Sequence, residues 1–278
     1  MTFAAGIVVA AALAAGAMLD ASSAGPSRSA EARGRTPRTA LNVFAAASLA
    51  DAFGELSRAF ERAHPDVAVR LNLAGSQQLV AQIGQGATAD VMASADERWM
   101  EELRHQGLLS GDPAPFARNH LIVIVPRTNP ARIGRLQDLA RPGVKLVIGA
   151  PAVPVGAYAR QMLTRLSRQP GFASDFTRRV LSNVVSEEES VRGVVGKVQL
   201  GEADAGIAYR SDVSPAVARY VRVFEVPDSA NVTARYPIAV LAGAPQAALA
   251  REFVALVLSP EGQRTLARHG FETSPATP

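Results

Sequence analysis

The chain has 278 residues, of which 48% are hydrophobic, so it is long enough to bury a sizeable core as one large domain or two lobes. Its formal net charge of +4 comes with only 5% aromatic residues and no basic run, which argues against a nucleic-acid-binding surface. The lack of cysteine excludes a disulfide framework, a thiol nucleophile and a zinc–thiolate site.

The N-terminus has the pattern of an export signal. Residues 3–19 (FAAGIVVAAALAAGAML) are almost wholly apolar, and a polar stretch of small residues follows. This order resembles a secretory signal peptide, with cleavage motifs at residues 22–24 and 30–32. No later segment approaches the ~20 apolar residues that span a bilayer. We expect residues 1–38 to be a signal peptide and flexible segment, and the mature protein to be periplasmic.

Beyond this segment, strand-like and helix-like stretches alternate. Apolar residues at helical spacing predict a helix over residues 48–62, after a strand over residues 41–45. Further strands are predicted over residues 67–73, 90–93, 121–125, 145–149, 205–208, 221–224 and 238–242. Further helices are predicted over residues 77–85, 96–106, 156–168, 190–201 and 245–269, the last broken near Pro260. The alternation indicates an α/β fold with parallel sheets.

Ligands in such folds bind where strands end and helices begin. Ser48 follows the first predicted strand, and Ser76 follows the second, directly after Gly75. Each serine, taken alone, is more consistent with a helix N-cap than with a ligand contact, and Asp51 would complete a capping box for Ser48.

Three later junctions offer further donors. Pro154 suits the first turn of a helix, which leaves the backbone N–H of Val155 free to meet an anion. Val191 lies in another first turn, after three glutamates at residues 187–189 that we interpret as a solvated face. Tyr209 ends a buried strand, where its hydroxyl is either a ligand donor or an ordinary core group.

These positions supply hydroxyl and N–H groups without a cationic clamp or a metal-ligand cluster. Such a set suits a small, fully ionised oxyanion, which presents acceptors only. We interpret the nearby Arg192 and Arg210 as lying outside the site. No cofactor is expected, and a metal would be met only through the oxygens of its oxyanion.

Several segments in a consistent order point to one family. They are spread over residues 41–272 and read VFAAASLADAF (43–53), GSQQLVAQIGQGATADVMASADERWM (75–100), VPVGAYA (153–159), SVRG (190–193), GIAYRSD (206–212), YPIAVL (236–241) and LSPEGQRTLARHGF (258–271). In these segments the chain resembles periplasmic molybdate-binding proteins, the solute receptors of ABC importers.

The resemblance implies a type II, Venus-flytrap periplasmic binding protein with a ligand cleft between two lobes. It implies a first lobe at residues 39–122 and 236–278, and a second lobe at residues 123–235. It also implies a monomer that binds molybdate or tungstate, delivers it to a membrane permease and has no nucleic-acid partner. The implied ligand-binding residues are Ser48, Ser76, Val155, Val191 and Tyr209.

The chain departs from the family pattern at two places. Gly75-Ser76-Gln77 stands where serines often follow one another, and Ser190 stands where an acid or amide often precedes the valine. Both departures leave the proposed donors in place and concern the choice of anion.

Three other functions remain open at this point. The first is a receptor of the same fold for sulfate or a small organic anion. The second is a sensory module that signals to a protein partner. The third is an enzyme, although the chain lacks a Gly-x-Ser-x-Gly elbow, a His-Glu-x-x-His motif and a Walker loop.

Overall fold

The computed structural model describes residues 38–273, so the predicted signal peptide lies outside the described part. The strands are β1 (Thr39–Ala46), β2 (Val67–Ala74), β3 (Val91–Ala93), β4 (Ala114–Asn119), β5 (Leu121–Pro126), β6 (Leu146–Gly149), β7 (Val184–Glu188), β8 (Ala205–Tyr209), β9 (Val221–Glu225) and β10 (Ala234–Val240). The α-helices are α1 (Ala50–Ala63), α2 (Ser76–Gly84), α3 (Glu97–His105), α4 (Pro154–Leu166), α5 (Phe176–Leu181), α6 (Val191–Gln199), α7 (Ala247–Leu258) and α8 (Pro260–Arg268). Along residues 38–273, no helix combines the length and hydrophobicity that a bilayer crossing requires.

The strands form two five-stranded sheets, in the orders β2-β1-β3-β10-β4 and β7-β6-β8-β5-β9. In the first sheet, β1 pairs in parallel with β2 and β3. In the second sheet, β6 pairs in parallel with β7 and β8. Each sheet thus has a parallel part whose strands lead into helices, and the carboxyl ends of these strands are where a ligand is expected.

The prediction of parallel sheets holds for only part of each sheet. In the first sheet, β10 runs antiparallel to β3 and β4, and in the second sheet β5 runs antiparallel to β8 and β9. The reason lies in the connections: β5 and β10 are the strands by which the chain enters one sheet from the other. A strand that arrives from another sheet has no crossover helix that would force it into parallel pairing.

The chain passes between the sheets twice. Only His120 separates β4 from β5, and the return lies between Glu225 at the end of β9 and Ala234 at the start of β10. We call the first sheet with its helices the first lobe, and the second sheet with its helices the second lobe. The lobe limits at residues 122/123 and 235/236 stay a prediction as domain boundaries, and they fall inside β5 and β10.

Local periodicity predicts the best-defined helix well. Phe53, Leu56 and Phe60 of α1 are all buried, as their spacing predicts. Three elements, β4, β7 and α5, were not predicted from the sequence. The strands β4 and β7 lie at sheet edges and carry Arg118 and Glu187, and α5 has only six residues, so the apolar pattern is weak in each.

Gly156 allows α4 to begin against the end of β6. A Cβ atom at this position would lie 2.2 Å from the carbonyl oxygens of both Gly149 and Ala150. We therefore expect Gly156→Ala to lower the free energy of unfolding by about 1–3 kcal/mol, as overpacking does. Denaturant unfolding checks this, with Gly196→Ala as the control, because a Cβ there meets no atom within 4 Å. Equal stability of the two variants would contradict the close-approach role of Gly156.

Candidate functional site

A small cavity lies between the two lobes, where several strands end and helices begin. Its volume is about 10 Å³, roughly the room that one water-sized molecule needs. Drug-sized ligands occupy pockets of roughly 300–1,000 Å³, so the cavity is too small for them. Its lining residues are Ala46, Ala47, Ser48, Ala74, Gly75, Ser76, Ala95, Val153, Pro154, Val155, Ser190, Val191 and Tyr209.

The cavity brings together the five predicted ligand-binding residues. Ser48 and Ser76 come from the first lobe, and Val155, Val191 and Tyr209 come from the second. Their role as anion ligands stays a prediction, but their convergence from five separate places in the sequence is a fact of the fold.

Ser76 has a hydroxyl group whose hydrogen-bonding direction is fixed. The residue is the first of α2, and its Oγ accepts a hydrogen bond from the backbone N–H of Ala95 at 3.0 Å. A serine hydroxyl has one hydrogen, and the Ala95 N–H already occupies a lone pair. The hydrogen of Ser76 therefore remains for an acceptor in the cavity.

Ser48 does not cap a helix, so the N-cap reading with Asp51 is wrong. A short 3₁₀ turn over Ala47–Leu49 precedes α1, which places Ser48 inside a turn instead of before it. Its side chain makes no capping bond, and its Oγ lies 3.0 Å from the hydroxyl oxygen of Tyr236.

Backbone N–H groups supply further donors. Ser76, Val155 and Val191 lie in the first turns of α2, α4 and α6, where an N–H has no partner within the helix. Pro154 occupies the first turn of α4, as predicted. The aligned peptide dipoles also place partial positive charge at the N-termini of helices. The N-termini of α2, α4 and α6 therefore offer the cavity both free N–H groups and partial positive charge, which stabilise an anion.

Tyr209 carries a hydroxyl that is ready for a ligand. The residue ends β8, is almost completely buried, and lines the cavity. Its hydroxyl oxygen has no hydrogen-bond partner among the described residues. Burial raises the pKa of Tyr209 well above its usual range, so the hydroxyl keeps its proton and remains a donor.

Asp212 forms a hydrogen bond with the backbone of Tyr209. Its carboxylate accepts the backbone N–H of Tyr209 at 2.8 Å, just after β8. Close packing around the carboxyl group raises the pKa of Asp212 to about 7, although part of the residue reaches the surface. Asp212 lies in the motif that contains Tyr209, but its bond to the Tyr209 backbone was not predicted.

No charged side chain lines the cavity, and this holds for every lining residue of the described chain. Arg192 lies 3.6 Å from Asp51 in an exposed ion pair between the lobes, and Arg210 pairs with Glu225. Their interpretation as residues outside the site agrees with these positions. Within residues 38–273, no three His, Cys, Asp or Glu side chains are grouped to hold a metal ion.

The acidic run at residues 187–189 is not simply a solvated face. Glu187 and Glu188 belong to the edge strand β7 and pair with Arg160 and Lys197. These neighbours come from α4 and α6, which the local sequence does not reveal.

Direct contacts close the cleft around the cavity. The Gln77 side-chain amide donates to the Glu189 carbonyl at 2.9 Å, and the indole N–H of Trp99 donates to the Ala152 carbonyl at 2.9 Å. Both bonds join the first lobe to the second. Neither was predicted, although Trp99 is the only tryptophan of the chain and belongs to the segment at residues 75–100.

Comparison with known proteins agrees with this architecture. The chain matches the family of bacterial extracellular solute-binding proteins over residues 41–272. It is 43% identical over 229 residues to the molybdate-binding protein of Mycobacterium tuberculosis, a match that covers 82% of this chain and 83% of that protein.

Two solved structures share the fold. The periplasmic molybdate-binding protein of Azotobacter vinelandii superposes with a TM-score of 0.72 at 23% identity, over 84% of this chain and 100% of that one. The sulfate-binding protein of Mycobacterium tuberculosis superposes with a TM-score of 0.73 at 21% identity, over 85% of this chain and 87% of that one. The two-lobed α/β fold is thereby confirmed.

These matches also decide between a receptor and an enzyme. A family of solute-binding proteins captures and releases its ligand, so the prediction that the chain is not an enzyme is confirmed. The chain belongs to the bacterial extracellular solute-binding proteins.

Proposed function

We propose that this protein binds molybdate, and tungstate with it, in the cavity between its lobes. The observation that carries the proposal is a small cavity with donor groups on both sides and no charged side chain in its lining. Hydrogen bonds to an ionised group are about twice as strong as those between neutral groups, so such donors can hold a dianion without counter-charges.

The donor set favours anions that carry no proton. Molybdate, tungstate and sulfate are fully ionised near neutral pH and present acceptors only. Hydrogen phosphate brings one O–H group, and the lining has no carboxylate to accept its hydrogen. Sulfate is a smaller tetrahedral dianion, so its rejection depends on the size of the cavity. The relatives named for molybdate make the larger anions the first choice.

Calorimetric titration with molybdate, tungstate, sulfate and phosphate tests this proposal. We expect one-to-one binding of the first two and no heat from the last two at the same concentrations. Binding of sulfate alone would instead favour the sulfate receptor. Silence of all four anions, with binding of a small carboxylate, would favour the organic-anion receptor.

We further propose that the protein is exported as a monomer and hands its ligand to the membrane permease of an ABC importer. The apolar segment at residues 3–19 and the extracellular character of the family support export. Sequencing the N-terminus of the protein recovered from cells tests this, since an exported protein begins after this segment. An intact Met1 would count against cleavage of a signal peptide.

A further inference from the structure

Tyr236 lies behind the cavity and does not line it. The residue belongs to β10 and is fully buried. The pairing of β10 with β4 shifts register between Tyr236 and Pro237, an irregularity that redirects side chains locally. Its hydroxyl oxygen lies 3.0 Å from the Oγ of Ser48, 188 positions away in the sequence.

The ring of Tyr236 is held in one place by its aromatic neighbours. Phe116, Tyr209 and Phe271 pack against it at centroid distances of 6.2, 6.0 and 5.3 Å, all with steeply tilted rings. Edge-to-face contacts of this kind are favourable and directional. The hydroxyl of Tyr236 is therefore fixed in position next to Ser48.

Ser48 sets the direction of the hydrogen bond, because its Oγ is the one hydrogen-bond partner of the Tyr236 hydroxyl among the described residues. Tyr236 is fully buried, so its hydroxyl hydrogen has no other acceptor and is donated to the Ser48 Oγ. Burial raises the pKa of Tyr236 above its usual range, so the phenol keeps its own hydrogen.

The direction of the Ser48 hydrogen bond follows from these contacts. Tyr236 donates to the Oγ of Ser48. Ser48 then accepts one bond, and its single hydrogen is left for the cavity that it lines. The backbone N–H of Ala95 acts on Ser76 in the same way. Both serines are thus prepared as donors before a ligand arrives.

We propose that Tyr236 is a positioning residue that commits the Ser48 hydroxyl to donate into the cavity and thereby helps to reject anions that carry a proton. The inference rests on the proposed oxyanion function. Without the Tyr236 hydroxyl, Ser48 has a free lone pair and can rotate. Its oxygen can then accept a hydrogen bond from the O–H group of hydrogen phosphate.

The test is a double-mutant cycle between Tyr236→Phe and Ser48→Ala, read by titration with molybdate and with phosphate. The Phe variant keeps the ring and loses one neutral hydrogen bond, so we expect molybdate affinity to fall about 3- to 10-fold. The ratio of molybdate to phosphate affinity should fall at least as much. In the Ser48→Ala background the same change should alter affinity less than about two-fold, because the Ser48 hydroxyl that Tyr236 positions is then absent.

Other outcomes distinguish the failure of this inference from the failure of the proposed function. If the wild-type protein binds molybdate and Tyr236→Phe matches it, or if the two changes are additive, the positioning role is overturned and the function stands. If the wild-type protein binds none of the tetrahedral anions, both are overturned.

A second measurement covers the case in which Tyr236→Phe does not fold, which thermal unfolding reveals. In a crystal structure of the wild-type protein with molybdate, the Ser48 Oγ should lie within hydrogen-bond distance of both the Tyr236 hydroxyl oxygen and an oxygen of the anion. A Ser48 Oγ that contacts the anion but not the Tyr236 hydroxyl would overturn the positioning role.

Discussion

Replacing Tyr209 by phenylalanine is expected to weaken molybdate binding without destabilising the unliganded protein. The hydroxyl is buried, lines the cavity and has no partner within the described chain. A hydrogen bond to a charged group contributes about 1.5–3 kcal/mol, so we expect a roughly 10- to 150-fold loss of affinity. Calorimetric titration measures this loss.

The stability of the Tyr209→Phe variant distinguishes a ligand-binding role of the hydroxyl from a structural one. A buried hydroxyl without a partner costs free energy, so its removal should leave the unfolding free energy unchanged or raise it. Tyr220→Phe is the matched control, because Tyr220 is 57% exposed and lies outside the cavity lining. Wild-type affinity in the Tyr209 variant would remove this residue from the site.

The second large effect is expected from Gly75→Ala. A Cβ atom at Gly75 would lie 2.3 Å from the carbonyl oxygen of Glu189, which belongs to the opposite lobe. Alanine adopts the extended backbone of Gly75, with φ −63° and ψ 142°, without strain. The same Cβ would lie 2.4 Å from the Oε1 of Gln77, but this flexible side chain can move aside. The conflict with the Glu189 backbone therefore concerns lobe closure, and we expect a roughly 5- to 150-fold loss of affinity from about 1–3 kcal/mol of overpacking.

Trp99 provides a direct readout of that closure. As the only tryptophan, with its indole N–H on the Ala152 carbonyl of the second lobe, it should change its fluorescence when the lobes meet. We expect molybdate to produce this change in the wild type and in Gly54→Ala, where a Cβ meets nothing closer than 3.7 Å. If Gly75→Ala closes and binds like the wild type, the close approach of the lobes at Gly75 has no energetic role.

Much of the site could be predicted because its donors lie at strand-to-helix junctions. A short apolar strand, a small residue and a serine or proline are local signals, and they locate Ser48, Ser76 and Val155 without knowledge of the fold. Tyr209 and Val191 carry weaker local signals, and the family resemblance supplied their roles.

What could not be predicted depends on contacts between distant parts of the chain. The antiparallel pairing of β5 and β10 follows from passages between sheets that leave no periodic signal. The partner of Ser48 is Tyr236, a residue far along the chain, so local capping rules gave the wrong role to this serine. Trp99 and Gln77 acquire their roles only where the two lobes meet.

The most direct test of the central claim is a crystal structure with molybdate, in which anomalous scattering locates the molybdenum atom. We predict one molybdenum atom between the lobes, with its oxygens within hydrogen-bond distance of the hydroxyls of Ser48, Ser76 and Tyr209 and of the N–H groups of Val155 and Val191. A molybdenum atom held instead by surface arginines, with the cavity between the lobes empty, would contradict the account.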